Sequence, residues 1–218
     1  MVSINYLVIP QNDEQQSMSA KSGSLRQSDN MLITDLEQIE HQFEVAFPDQ
    51  SNVDVFYDQL CPQGYDQHNE RINFRDPEEI ANAVQGYLGR DSRARVYDVG
   101  AGTGIMAEKL KTRGFCRLEG GDASEQFVKT AQQKGLYQDI EIRWFGMGVH
   151  RLPANKLKQY DCVVASGVWL VGHIPAVGMD DCHALLRTGG LFITAMRSQY
   201  WVSGQREGYK DKMKELVK

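Results

Sequence analysis

The residues best suited to chemistry are Tyr97-Asp98-Val99-Gly100-Ala101-Gly102-Thr103-Gly104, an acid followed by three glycines at alternate positions. The run leaves an apolar strand and enters a helix. Glycines there let the backbone turn sharply and approach a ligand closely. The helix that follows offers unpaired N–H groups and a positive dipole end. Such a loop suits an anionic group, a carboxylate or a phosphate. Two ligand classes fit it. Gly102, Gly104 and Ala107 satisfy the G-x-G-x-x-G/A dinucleotide pattern, with Asp122 standing where a ribose-binding acid belongs. Against that reading, Asp98 lies two residues before Gly100, where dinucleotide strands usually carry apolar residues, and Gly104 completes a tighter D-x-G-x-G-x-G pattern.

Other residues carry weaker signals. Asp122 offers two acceptor oxygens to vicinal hydroxyls; the competing role is a helix N-cap, which Ser124 can also supply. His173 could take a proton from an acceptor or be a structural histidine before Pro175. Trp169 could stack on a planar group or sit in the core. The four cysteines, Cys61, Cys116, Cys162 and Cys182, form no C-x-x-C pair and have no histidine at metal-ligand spacing. Cys116 and Cys162 fall in apolar, strand-like runs. Buried free thiols of a reducing compartment are expected, and no metal site.

The elements that must position these residues read as strands alternating with helices. Strands are expected at residues 96–99, 115–120, 140–145, 161–166 and 191–195. Helices are expected at 105–112, at 125–134 closed by Gly135, at 179–187 and at 209–217. That alternation implies parallel crossovers and an α/β, doubly wound, mostly parallel Rossmann-like sheet. Upstream, Asp76-Pro77-Glu78-Glu79 reads as a helix start, with Asp76 as N-cap, Pro77 in the first turn and Glu79 closing a capping box, and Gly89 as the stop. Residues 31–47 repeat apolar side chains at helical spacing (Leu32, Leu36, Ile39, Phe43, Phe47) and end before Pro48. Residues 11–30, rich in Gln, Ser, Asp and Asn, are expected to be a disordered leader or linker. The division is therefore an N-terminal extension, 1–50, and a domain, 51–218.

Four motifs in order resemble class I S-adenosylmethionine-dependent methyltransferases: Tyr97–Gly104; Gly121-Asp122-Ala123-Ser124 at the end of the second strand; Tyr160-Asp161-Cys162-Val163-Val164-Ala165-Ser166; and Leu185-Leu186-Arg187-Thr188-Gly189-Gly190-Leu191-Phe192-Ile193. Ser166-Gly167-Val168, Gly172-His173-Ile174-Pro175, Arg197 and Tyr200 are similar to the Williams–Beuren syndrome region methyltransferase-like proteins. The resemblance implies S-adenosylmethionine as cofactor, with Asp98, Gly100, Ala101, Gly102 and Gly104 around its methionine portion and Asp122 and Ala123 at its ribose. It places adenine near residues 146–152. Many relatives carry an acid there, where this chain has Met147, Gly148 and Val149. Ser166, ending the fourth-strand motif, is a further cofactor-binding candidate from the resemblance. Phe56-Tyr57-Asp58 and Gly64-Tyr65-Asp66 resemble the paired Y-D signature that caps the donor pocket of small-molecule methyltransferases, with Leu60 and Cys61 replacing its Trp-Ala and one residue inserted. Tyr57 and Tyr65 are the pocket candidates from it, and His173 the catalytic one.

Class I domains usually finish with an antiparallel hairpin after the fifth strand. The chain stops at Lys218 inside the preceding helix, so a sheet lacking that strand 6/7 hairpin is expected. The fifth strand would then be an open edge, answered by low stability, self-association or coverage from the N-terminal segment. With 218 residues, 41% of them hydrophobic, and a net charge of −5, the chain can bury a core and has no general attraction to nucleic acid or anionic membranes. No stretch reaches membrane-spanning length, so a cytoplasmic protein acting on a small-molecule acceptor is expected. The alternatives are a non-catalytic binding protein on the same fold and a nicotinamide-dependent oxidoreductase.

Overall fold

The computed structural model describes residues 3–10, 19–24, 62–89, 91, 93–204 and 207–216. The expected helix at 31–47, Tyr57 and Cys61 lie outside them. The described strands are β1 (Ser3–Pro10), β2 (Ser19–Ser24), β3 (Arg95–Val99), β4 (Arg117–Asp122), β5 (Asp139–Ile142), β6 (Tyr160–Ala165) and β7 (Leu186–Arg197). The helices are α1 (Pro62–Arg71), α2 (Asp76–Leu88), α3 (Ile105–Thr112), α4 (Glu125–Lys134), α5 (Gly178–Leu185) and α6 (Tyr209–Leu216). No helix among the described residues is long and apolar enough to cross a membrane.

The sheet order is β2-β1-β7-β6-β3-β4-β5. Strands β3 to β7 are parallel throughout, the expected doubly wound arrangement. Side chains alternate across it. On β6, Tyr160, Val163 and Ala165 join one core with Met179, Leu185 and Met213, whereas Cys162 and Val164 join the other with Ile80, Val84 and Leu110. Both faces are therefore covered, as a parallel sheet requires.

The edge of β7 is where the sequence expectation resolves. Strand β1 pairs antiparallel with β7, from Ile4 with Arg197 to Pro10 with Leu191, and β2 pairs antiparallel with β1. Coverage by the N-terminal segment is the outcome found. An N-terminal hairpin thus stands beside the fifth parallel strand, and Ser19–Ser24 is a strand inside the stretch expected to be disordered. Backbone hydrogen bonding to a neighbour overrides its weak β propensity.

Three local corrections follow. Asp76 is the first residue of α2, not its cap: Arg75 holds that position, makes no side-chain cap bond, and instead pairs with Glu79 at 2.7 Å. The capping box does not form. Cys116 is exposed, because β4 begins one residue later; Cys162 and Cys182 are buried free thiols. Strand β7 begins directly at the end of α5 and is far longer than its apolar run: Leu186 already pairs with Tyr160 of β6, and β1 pairs with it as far as Arg197.

Candidate functional site

The glycine loop crosses from β3 to α3 at the carboxyl edge of the sheet, the ligand-binding edge of open α/β folds. Gly100, Gly102 and Gly104 all adopt positive φ, at 68°, 55° and 94°. Gly100 has a second requirement. A Cβ on it would lie 2.4 Å from Val168 Cγ1, so the loop packs where only glycine fits. The loop is tied to the end of β4: the N–H groups of Gly100 and Ala101 both donate to the Gly121 carbonyl, at 2.9 and 3.1 Å.

Asp122 sits at that strand end and bridges two elements. Its Oδ2 accepts the Gly102 N–H at 2.9 Å, and its Oδ1 accepts the Ser124 N–H at 2.9 Å. Ser124 caps α4 through the Phe127 N–H at 3.2 Å, so Asp122 is not the cap. Its half-buried carboxylate lines an open cavity.

The cavity wall brings together Tyr65, Gly100, Gly102, Asp122, Ala123, Ser166 and His173 from the sequence candidates. Tyr65 packs on Phe127, ring centroids 4.9 Å apart, and burial pushes its hydroxyl up to about 12. The Ser166 hydroxyl oxygen is buried and has no hydrogen-bond partner among the described residues. Other candidates stand elsewhere. Asp98 is buried behind the loop, where the Tyr137 hydroxyl donates to its Oδ2 at 2.6 Å. Burial pushes Asp98 up to about 7; the Tyr137 hydrogen bond opposes that rise and the nearby Asp122 charge adds to it. Ala101 is buried against Val128 and Ala131. Gly104 backs onto Leu136, Tyr137 and Ala131. Met147 points outward, half exposed, and Gly148 is folded against the His150 ring. In place of the latter pair the wall uses Arg143, Trp144 and Phe145, which follow β5 directly. Strand β5 ends three residues before the expected limit, and that shift turns these side chains from sheet positions into wall.

Trp169 is a core residue. Its Nε1 donates to Thr194 Oγ1 at 2.7 Å, and that hydroxyl donates to the Ala165 carbonyl at 2.6 Å. It is 2% exposed and absent from the cavity wall. His173 is half-buried, with Nδ1 3.0 Å from the Val171 carbonyl, the geometry of an Nδ1–H donor. Burial pulls its pKa down to about 4, against the raising effect of that carbonyl. The ring is therefore neutral at ordinary pH.

Phe127, Tyr137, Arg143 and Trp144 are among the residues the sequence reading did not select. Phe127 carries the one available signal, an aromatic three residues after the Ser124 cap. The other three lie on connections whose course depends on where β5 starts and stops.

Residues 96–190 match the model of a methyltransferase domain family. The human methyltransferase-like protein 27 is 30% identical over 154 residues, 70% of this chain and 61% of that protein. A ubiquinone biosynthesis O-methyltransferase from Bordetella pertussis is 31% identical over 109 residues, 49% of this chain and 44% of that protein. The chain thus spans less than two thirds of the length of these relatives. The crystal structure of a TehB-like SAM-dependent methyltransferase from Corynebacterium glutamicum superposes with a TM-score of 0.52 at 16% identity, over 71% of this chain and 82% of that one. Fold and family match agree over the centre of this chain: residues 96–190 match a methyltransferase domain, and the sheet has the fold of that SAM-dependent methyltransferase structure.

Proposed function

We propose that the protein binds S-adenosylmethionine in this cavity and transfers its methyl group to a small-molecule acceptor. The observation that carries the reading is Asp122. One carboxylate closes the glycine loop onto α4 and also faces an open cavity at the carboxyl edge of the sheet.

The residues suit the donor. Asp122 offers acceptor oxygens to ribose hydroxyls, and the Gly100–Gly102 backbone passes the methionine portion. Trp144 and Phe145 give the wall aromatic surface suited to a purine. The Ser166 hydroxyl, without a hydrogen-bond partner among the described residues, adds a polar group to the wall. When bound, the donor supplies an electrophilic sulfonium methyl. This chain's own contribution is placement, since an in-line displacement gains chiefly from proximity and orientation. His173, neutral and on the wall, is positioned to accept a proton from an acceptor hydroxyl or amine. The bacterial O-methyltransferase relatives support a small organic acceptor.

Calorimetry with S-adenosylhomocysteine tests the reading. Saturable binding is expected, weakened by about tenfold or more in Asp122→Ala, where charge-assisted hydrogen bonds are lost, with no heat from NADH. A folded protein that binds neither ligand would turn the assignment toward a non-catalytic member of the fold.

A further inference from the structure

Asp66 follows Tyr65 on α1 and takes no part in the cavity wall. Its carboxylate is nevertheless engaged on both oxygens. Oδ1 accepts the hydroxyl proton of Thr103, which lies in the middle of the glycine loop and is 1% exposed. Oδ2 accepts from Lys134 Nζ at 2.9 Å, at the last turn of α4. Lys134 in turn reaches Glu108 on α3 at 2.8 Å. One carboxylate therefore joins α1, the loop and α4. The cluster is about three-quarters buried at Asp66 and Lys134, where hydrogen bonds to charged groups are strongest.

The adjacent residue gives this node its meaning. Tyr65 lines the cavity and packs at a tilt against Phe127, also from α4. Among the described elements, α1 makes its contacts chiefly with α4, and few of them. A helix of ten residues gains from a directional attachment that holds one side chain in place. We infer that Asp66 is a positioning residue for donor binding: its bonds to Thr103 and Lys134 set α1, and through it the Tyr65 ring, against the glycine loop. The inference rests on the proposed donor site and adds the device that closes one side of it. The loop gains as well, because Thr103 is fixed between Gly102, held by Asp122, and Gly104.

The test is S-adenosylhomocysteine calorimetry on Asp66→Ala, Asp66→Asn and Thr103→Val in the full chain, with urea denaturation alongside. Asp66→Ala should bind about tenfold to a hundredfold more weakly, the loss of a charge-assisted pair. Asp66→Asn keeps an acceptor for Thr103 but loses the charge facing Lys134, so it should recover part of that loss, with the urea midpoints showing whether affinity merely follows stability. Asp66→Ala combined with Thr103→Val should bind no more weakly than Asp66→Ala alone, because both remove the same bond. Wild-type affinity in folded Asp66→Ala, or equal losses in the Asn and Ala variants, would overturn the role. If Asp66→Ala does not fold, Thr103→Val decides: affinity within about twofold of wild type refutes the inference. Failure of the wild-type chain to bind is a separate result, against the donor site itself.

Discussion

Tyr137 donates its hydroxyl to Asp98 at 2.6 Å, behind the glycine loop and away from the cavity. The first acid of the motif is thus held by the protein's own phenol. Tyr137 also lies 3.4 Å from a Cβ built on Gly104 and 3.1 Å from one built on Gly120, so it fills the space that both glycines leave.

This pair makes stability pH-dependent. Asp98 has a folded-state pKa of about 7, above the usual carboxylate value of about 4. The folded chain therefore keeps a proton that the unfolded chain releases. Its contribution is full below about pH 4 and declines as pH rises to about 7, at most by about 1.4 kcal/mol per pH unit. Asp76, also raised to about 7 by burial and then by Glu79, acts with the same sign. Asp98→Asn should flatten the decline seen in urea melts between pH 5 and 8. Tyr137→Phe removes the donor that favours the charged form, so it should cost more at pH 8 than at pH 5. An equal cost at both would show that Asp98 is not the titrating partner.

Two glycines in one loop should respond differently to alanine. At Gly100 a Cβ meets Val168 at 2.4 Å with φ at 68°; at Gly102 the nearest neighbour is Phe127 at 4.0 Å with φ at 55°. Gly102→Ala should cost about 1–2 kcal/mol, the left-handed penalty alone. Gly100→Ala adds a clash and should cost more, by about 1–3 kcal/mol. Denaturant midpoints compare them, and a larger loss at Gly102 would contradict the packing described.

His173 should not give the rate profile an inflection near its ordinary value. With a pKa of about 4 in the folded chain, it is neutral throughout the range from about pH 5.5 upward. Its linkage has the opposite sign to that of Asp98: its neutral burial stabilises the fold above about pH 6.5, and that contribution is lost as pH falls toward 4. Once an acceptor is known, His173→Ala should lower kcat by less than about a thousandfold, within the range of general base catalysis. A larger loss with donor affinity intact would make the residue indispensable to the chemistry.

The parallel core was legible because its signals are local. Helix α4 begins and ends as expected, since Ser124 caps it and Gly135 takes φ of 63°. Helix α3 likewise matches residue for residue. The Asp122 and Gly100–Gly104 positions followed from motif spacing. What was not legible depends on distant partners. Strand β2, Ser-Ala-Lys-Ser-Gly-Ser, has no apolar alternation and exists by pairing with β1. Arg143 and Trp144 face the cavity only because β5 stops at Ile142. Asp98 carries the motif's acid, yet its partner Tyr137 lies 39 residues on, in a connection with no motif of its own.

The sheet's last seam joins residue 7 to residue 194. A ribosome delivers the first of these long before the second. During synthesis β1 and β2 must wait as an isolated hairpin, which by itself is marginal in water, until β7 emerges to receive them. The seam with the greatest sequence separation can therefore close only after β7 is made. Such non-local closure slows folding, and the interval is one in which the unpaired β1 edge is open to other chains.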